Sequence, residues 1–412
     1  MKKEWVVLQV NTRALRGSDL VYGEFILTNR FAALGTYDLP IPTQDVRIDF
    51  AYSYHDQNSY YGDYHYAANQ QVYFTNLIWD KKFSYNRHLL IGGTLRYDQL
   101  EQTFDGQRLE DGSEDNRFIP GIFAQYDHIF SSAWRGLVGL RVDHYTEHGF
   151  IFSPRANLKV SPTDHTTFRI NAGTGFRIVN LFTEQHEALT GSRRVVVTEN
   201  LKPERSYNIT ANINQIIDIG YSVLNVDFDI WHTYFTNQII PDYNHAGEIR
   251  YSNLNGHSVS RGVSLSAAHN FPGPFMYSMG ITLQDVYQKR NGIKEPILFS
   301  PGFSGVFSLS YDIESIWMSL DWTGQITGKM KLPEYEGYAD QSELYTEQNL
   351  KIAKKLNRKL QIYMSVKNLF NYTQENPIIA PDRPFSNDFA TDRVFGPMQG
   401  RRLLIGIRYE LD

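Results

Sequence analysis

The sequence predicts an all-β chain, a membrane-spanning antiparallel barrel, from three observations: period-2 alternation throughout, alternating segments too long for an ordinary soluble sheet, and connections that alternate between short and long. VLNVDFDIW, residues 223–231, shows the first. Leu224, Val226, Phe228 and Ile230 share one parity, and Asn225, Asp227 and Asp229 share the other. Side chains of a strand alternate between faces, so one face is hydrocarbon and the other amide and carboxylate.

Length is the second observation. In FMYSMGITLQDVY, residues 275–287, the outer parity runs through Tyr277, Met279, Ile281 and Leu283 to Asp285 and Tyr287. The ten steps from Tyr277 to Tyr287 rise about 24 Å after a tilt near 45°, which matches an apolar band of about 25 Å with aromatic girdles at both edges. Soluble strands average only about 5–6 residues. At the rim, an outward charge such as Asp285 costs about 0–1 kcal/mol.

The third observation is loop parity. Short turns fall at 161–165, 217–221, 269–274, 312–315 and 355–359, and long polar stretches at 98–117, 174–205, 235–257, 287–302, 324–344 and 369–400. Outer-membrane barrels sort their connections this way, with the long loops extracellular. Taken in order, the alternating segments include VRIDFAYSY (46–54), LVGLRVDHY (137–145), TFRINAG (167–173), IWMSLDW (316–322), LQIYMSV (360–366) and RLLIGIRYEL (402–411). They total about sixteen to eighteen strands. With this topology Leu224 to Ile230 face lipid, while Asn225, Asp227 and Asp229 face a wet lumen.

Composition removes competing classes. The 412-residue chain has a formal net charge of −5, so it lacks the basic excess that neutralises phosphates in nucleic-acid binders. It has no cysteine, which excludes disulfides, thiolate metal sites and a cysteine nucleophile. The mean hydropathy is −0.41, and no apolar run is long enough for a helical span. Alternating barrel strands tolerate such an average. The start MKKEWVVLQVNTRALRG lacks the apolar core and cleavage site of a signal peptide.

The sequence resembles the C-terminal β-barrel of TonB-dependent outer-membrane receptors, particularly the siderophore, cobalamin and colicin-receptor type of the Bacteroidetes. The matching blocks are FSPRANLKVSP (152–162), TFRINAGTGFRIVNLFTE (167–184), LKPERSYN (201–208), VKNLFNYT (366–373) and RRLLIGIRYEL (401–411). The resemblance covers residues 1–412 as a single barrel domain with about sixteen to eighteen of the family's roughly 22 strands. No part of the chain resembles the family's plug or TonB-contacting box. The expectation is therefore a C-terminal portion of a receptor, arising from a truncated frame, a split gene or an isolated domain.

The resemblance implies location in the outer membrane of a Gram-negative cell and active transport of a bulky scarce nutrient such as an iron-siderophore, cobalamin or another metal chelate. It also implies contact with outer-membrane lipid, with the TonB complex through the missing plug, and with barrel-assembly machinery. The final strand has Gly406, Tyr409 and Leu411 at the spacing of that machinery's signal but ends in Asp412 instead of an aromatic. A passive porin-like channel is the alternative. An outer-membrane enzyme is a third reading, but no nucleophile, histidine and acid converge at readable spacing. The chain is read as a non-enzyme without cofactor or metal.

His144 to His148 fits H-x-x-E-H, which requires a helix to bring both histidines to one zinc; in an extended chain they stand about 13 Å apart. GQITGKM (324–330) has too short a spacer for a phosphate loop, and AGTGF lacks the helix of a dinucleotide site. The tyrosine-rich stretch 52–71 is expected to be an extracellular loop, with Tyr60, Tyr61, Tyr64 and His65 as ligand-binding candidates. The simpler reading is an upper aromatic girdle. Arg177, Arg193, Arg194 and Arg205 flank a long loop and are candidates for drawing an anionic chelate to the mouth, unless Glu184, Glu187, Glu199 and Glu204 neutralise them.

Overall fold

The computed structural model describes residues 12–104, 114–179, 194–245, 248–386 and 388–410. An 18-stranded sheet dominates it. The first eight strands are β1 (Glu24–Asp38), β2 (Asp45–Tyr61), β3 (Tyr64–Ser84), β4 (Arg87–Phe104), β5 (Glu114–Ile129), β6 (Trp134–Tyr145), β7 (Gly149–Thr163) and β8 (Thr166–Arg177). Short β9 (Arg194–Val197) lies outside this sheet, which continues through β10 (Glu204–Ile219) and β11 (Ser222–Thr236). Between β11 and the next wall strand come β12 (Ile239–His245) and β13 (Glu248–Asn253). The wall resumes with β14 (Gly256–Asn270), β15 (Phe275–Arg290), the short β16 (Ile293–Pro296), β17 (Phe303–Ile313) and β18 (Met318–Thr327). It ends with β19 (Tyr345–Lys355), β20 (Leu360–Lys367) and β21 (Arg402–Tyr409).

Each wall strand pairs antiparallel with the next, giving an up-and-down barrel wall. β16 pairs with the top of β15 above the point where β17 takes over. The turn between them is Asn291-Gly292, both at positive φ, which matches the twist of a two-residue hairpin. Among the described residues no ladder joins β21 to β1. The two edges nevertheless approach at the top, where Phe389 of the loop preceding β21 packs 4.7 Å, centroid to centroid, from Tyr22 just before β1.

Register carries the expected parity across the wall. Ile213, Phe228, Leu265, Ile281 and Gly305 oppose one another across β10, β11, β14, β15 and β17, and the four apolar members are all exposed. Their neighbours Asn212, Asp229, Ser264, Thr282 and Ser304 form the opposite face. At the last strand Leu403, Ile405, Ile407 and Tyr409 are exposed on one parity, with Ile405 at 77%. An apolar band continuing from strand to strand exceeds what a soluble monomer leaves uncovered, and acyl chains supply the cover. No described helix is long and apolar enough to cross a membrane.

An aromatic row marks the upper edge of this band: Phe31, Tyr52, Tyr73 and Tyr97 follow one another across β1 to β4 at centroid spacings of 6.2, 4.9 and 6.2 Å. Residues 52–71 form a strand hairpin instead of the expected loop. β2 and β3 pair residue by residue up to Tyr61 opposite Tyr64, so only Gly62 and Asp63 form the turn. Gly62 adopts a φ of 64°, and a side chain there would press on Tyr22 and Phe385 at 3.0–3.1 Å. The alternation of connections is also incomplete, since 62–63 and 146–148 are short turns at the long-loop end.

Candidate functional site

At the long-loop end the connections fold into structure of their own. β13 pairs antiparallel with β12 and parallel with β9, giving a small three-stranded sheet over the mouth. Its apolar face meets the inner face of the tall β2–β3 hairpin and β4. Tyr61, Tyr66 and Leu100 from the wall pack with Val195, Ile239, Ile249 and Tyr251 from the cap. Tyr251 is completely buried. Glu204 anchors the cap to the wall: its carboxylate accepts the Ile239 N–H at 2.7 Å and Arg177 Nε at 2.7 Å. Asn253 ties in the stretch before β10, accepting from Lys202 N–H at 2.7 Å and donating to the Lys202 carbonyl at 2.9 Å.

Beside the cap is a cavity of about 900 Å³. Tyr22 and Glu24 line one side, Phe299 and Pro301 another, and Thr327, Met330, Tyr345, Asp392 and Phe395 most of the remainder. The three long loops after β15, β18 and β20 thus converge with the segment before β1. Tyr345 stacks on Tyr372 at 5.0 Å with the rings 6° from parallel, and its hydroxyl donates to the Phe395 carbonyl at 2.9 Å. Gln374 accepts from the Phe395 and Gly396 N–H groups at 2.8 and 3.0 Å. Tyr335 reaches from the 328–344 loop to donate to Asp392 at 2.8 Å, and the Arg393 guanidinium lies over Tyr338 at 5.1 Å. These contacts give the loops fixed walls, which a preformed binding cavity requires.

An ionic clasp holds the 328–344 loop. Lys331 donates to Glu334 at 2.6 Å and to Asp340 at 3.0 Å. Hydrogen bonds to Glu334 and then Asp340 hold the ammonium above its ordinary range, and Lys331 holds the Asp340 carboxyl below its own. Burial pushes the Tyr372 phenol up. Aromatic rings with two carboxylates at the edge suit a bulky, partly apolar ligand that carries donor groups.

None of the described sequence candidates lines this cavity. Tyr60 faces outward and packs against His65 at 4.6 Å, and the Arg16 guanidinium lies over its ring at 4.8 Å. Tyr61 points inward and is only 2% exposed, so it is a packing residue of the cap rather than a displayed loop aromatic. Tyr64 lies opposite it, half-buried. Arg177 is bound to Glu204, and Glu199 accepts the Asn253 N–H at 2.8 Å. Arg194 opens β9, while Arg193, Glu184 and Glu187 lie outside the described residues. His144 is in β6 against Phe150 and His148 is in the following turn; no metal-holding cluster occurs among the described residues. Sequence reasoning missed Phe299, Tyr345, Asp392 and Phe395. Their only signal is the density of proline, glycine and aromatics in the long loops.

The family described as TonB dependent receptor-like, beta-barrel matches residues 11–369. Curated proteins gave no match. Among solved structures, the siderophore receptor PirA from Acinetobacter baumannii superposes with a TM-score of 0.69 at 14% identity, covering 94% of this chain and 62% of that one. The copper transporter OprC gives 0.69 at 13% identity, with coverages of 94% and 65%. The FrpB iron transporter from Neisseria meningitidis gives 0.67 at 12% identity, with coverages of 93% and 62%. The chain thus spans less than two thirds of the length of these structures and shares their fold.

Proposed function

The chain belongs to the TonB-dependent receptor β-barrel family, and on that premise we propose that it is the barrel part of an outer-membrane active-transport receptor for a bulky scarce nutrient such as an iron-siderophore, cobalamin or another metal chelate. The observation that carries this reading is the cavity of about 900 Å³ walled by three long loops. That volume lies in the range that accommodates a bulky small ligand, about 300–1,000 Å³. PirA is a siderophore receptor, FrpB an iron transporter and OprC a copper transporter, which supports a metal complex as cargo.

Capture takes place at the mouth, where Phe299 and Phe395 offer partly exposed rings held in place by the buried Tyr345. Tyr60, Tyr64 and His65 at the hairpin tip extend this surface, and Arg193 and Arg194 attract an anionic cargo, while Arg177 is held by Glu204. Tyr61 contributes by holding the hairpin against the cap. The remaining partners are lipid around the outer face, barrel-assembly machinery at the last strand, and the TonB complex acting through a plug.

The test is uptake in cells lacking the gene. Loss of saturable, energy-dependent accumulation of one metal chelate, restored by the gene and weakened by Tyr345→Ala with Tyr64→Ala, is the expected result. Unchanged uptake together with a large steady conductance of the purified chain in planar bilayers would establish the porin-like alternative instead.

A further inference from the structure

The inner wall is electrically sectored. On β5 to β8 its face carries Arg135, Arg155, Lys159 and Arg169 around a concavity of about 600 Å³. Arg135, Lys159 and Arg169 stand directly opposite one another in register across β6, β7 and β8. Like charges in that relation destabilise a sheet, so the fold gains nothing from the arrangement itself. One carboxylate accompanies the four cations: Asp127 accepts from Arg135 Nε at 3.0 and 3.1 Å.

The other three cations have neutral partners or none. Arg169 donates to the Asn212 amide oxygen at 2.8 Å, and Arg155 donates to the Gln125 amide oxygen. Lys159 makes no hydrogen bond or ion pair among the described residues, and it is exposed. Arg155 lies flat between two glycines: a Cβ on Gly139 would come within 3.1 Å of its Nε, and one on Gly173 within 3.4 Å of its Cβ. The glycines leave room for the Arg155 side chain. The neighbouring wall has the opposite character, because Asp229 and Asp227 accept from Asn212 and Asn214 at 2.8 and 3.0 Å. The cation excess is therefore local and is not a general property of the lumen.

We propose that this sector, close to the short-turn end, is an anion-binding site in the passage, suited to a small multiply charged carboxylate or phosphate compound. Its place in transport rests on the function proposed above, as a second holding point below the mouth; the binding itself does not. A planar guanidinium pair with a lysine between matches two or more anionic oxygens on one ligand.

The test uses the whole chain in lipid nanodiscs, with citrate and pyrophosphate titrated by calorimetry. Saturable binding is expected, weakened by about tenfold in Arg155→Gln with Lys159→Gln through loss of two charge-assisted contacts, and unchanged in Asp227→Asn with Asp229→Asn. If the double cation variant fails to fold, Lys159→Gln alone, at an exposed and unpartnered side chain, must still weaken binding. Absence of saturable binding, equal binding by the cation variants, or equal loss in the aspartate variant would each overturn the site. An acidic peptide that binds the sector when citrate and pyrophosphate do not would assign it to a polypeptide surface and overturn the small-anion proposal. Normal anion binding without nutrient uptake would refute the transport function alone.

Discussion

The wall and the mouth of this molecule obey different rules. In the wall, register and parity determine what each residue meets, so Ile281 faces lipid because its neighbours in sequence face water. In the mouth, contacts form between segments far apart in the chain, as when Tyr61 of β2 packs with Tyr251 of β13. A wall residue is replaceable by any residue of suitable polarity, whereas a mouth residue is held by shape.

That contrast orders the consequences of substitution. The largest effect is expected at the cap, where Tyr251→Ala empties a fully buried ring site and costs about 3–5 kcal/mol of local stability. Limited proteolysis should then cut within 237–255 while the folded barrel keeps its heat-modifiable mobility; unfolding of both together would erase the distinction between the regions. In the wall, Ile281→Arg places a charge against the middle of the bilayer and should cost about 2–4 kcal/mol in urea titrations of the reconstituted chain. Thr282→Arg, one residue away on the inner face, should shift the midpoint by no more than about 0.5 kcal/mol. Similar costs at the two positions would refute the parity.

Glu204→Gln sharpens the comparison where the two regions join. It removes the charged partner of Arg177 and weakens the acceptor of the Ile239 N–H, for an expected loss of about 1–3 kcal/mol. Faster hydrogen exchange at the Ile239 amide, with β10 amides unchanged, is the readout.

The smallest effect is the pH response of the 328–344 loop. Lys331 depresses the Asp340 carboxyl, so its contribution is present above the ordinary carboxylate range and is lost as pH falls through the lowered value. Lys331 is raised, so its contribution holds below the ordinary lysine range and fades only as pH climbs past it. Protease protection of this loop should therefore be flat through neutral pH and decline only at the acid and alkaline extremes. Asp340→Asn should remove the decline on the acid side.

Strand direction, facing and the short turns were legible in the sequence because lipid enforces hydrocarbon on every second residue. The tall hairpin was not, for the same reason inverted. Above the aromatic row the outward positions of β2 become Asp56, Asn58 and Tyr60, which meet water, so the alternation disappears while the ladder continues to Tyr61. The stretch then reads as a loop although it is a strand. The mouth cavity was illegible for another reason: Phe299 and Phe395 come from two separate connections and Tyr345 opens β19, and their convergence depends on the loops packing together. Charges near the mouth were legible as a question, and Glu204 answers it for Arg177 by holding the guanidinium in the wall.

The facing of β11 tests the account most directly, and a cysteine-free chain makes single-cysteine labelling clean. Spin labels placed one at a time from 224 to 230 in the reconstituted protein should alternate. Positions 224, 226, 228 and 230 should be relaxed by lipid-soluble oxygen, and 225, 227 and 229 by a water-soluble nickel chelate. A uniform response along the strand, or the opposite phase, would contradict a wall with acyl chains outside and water within.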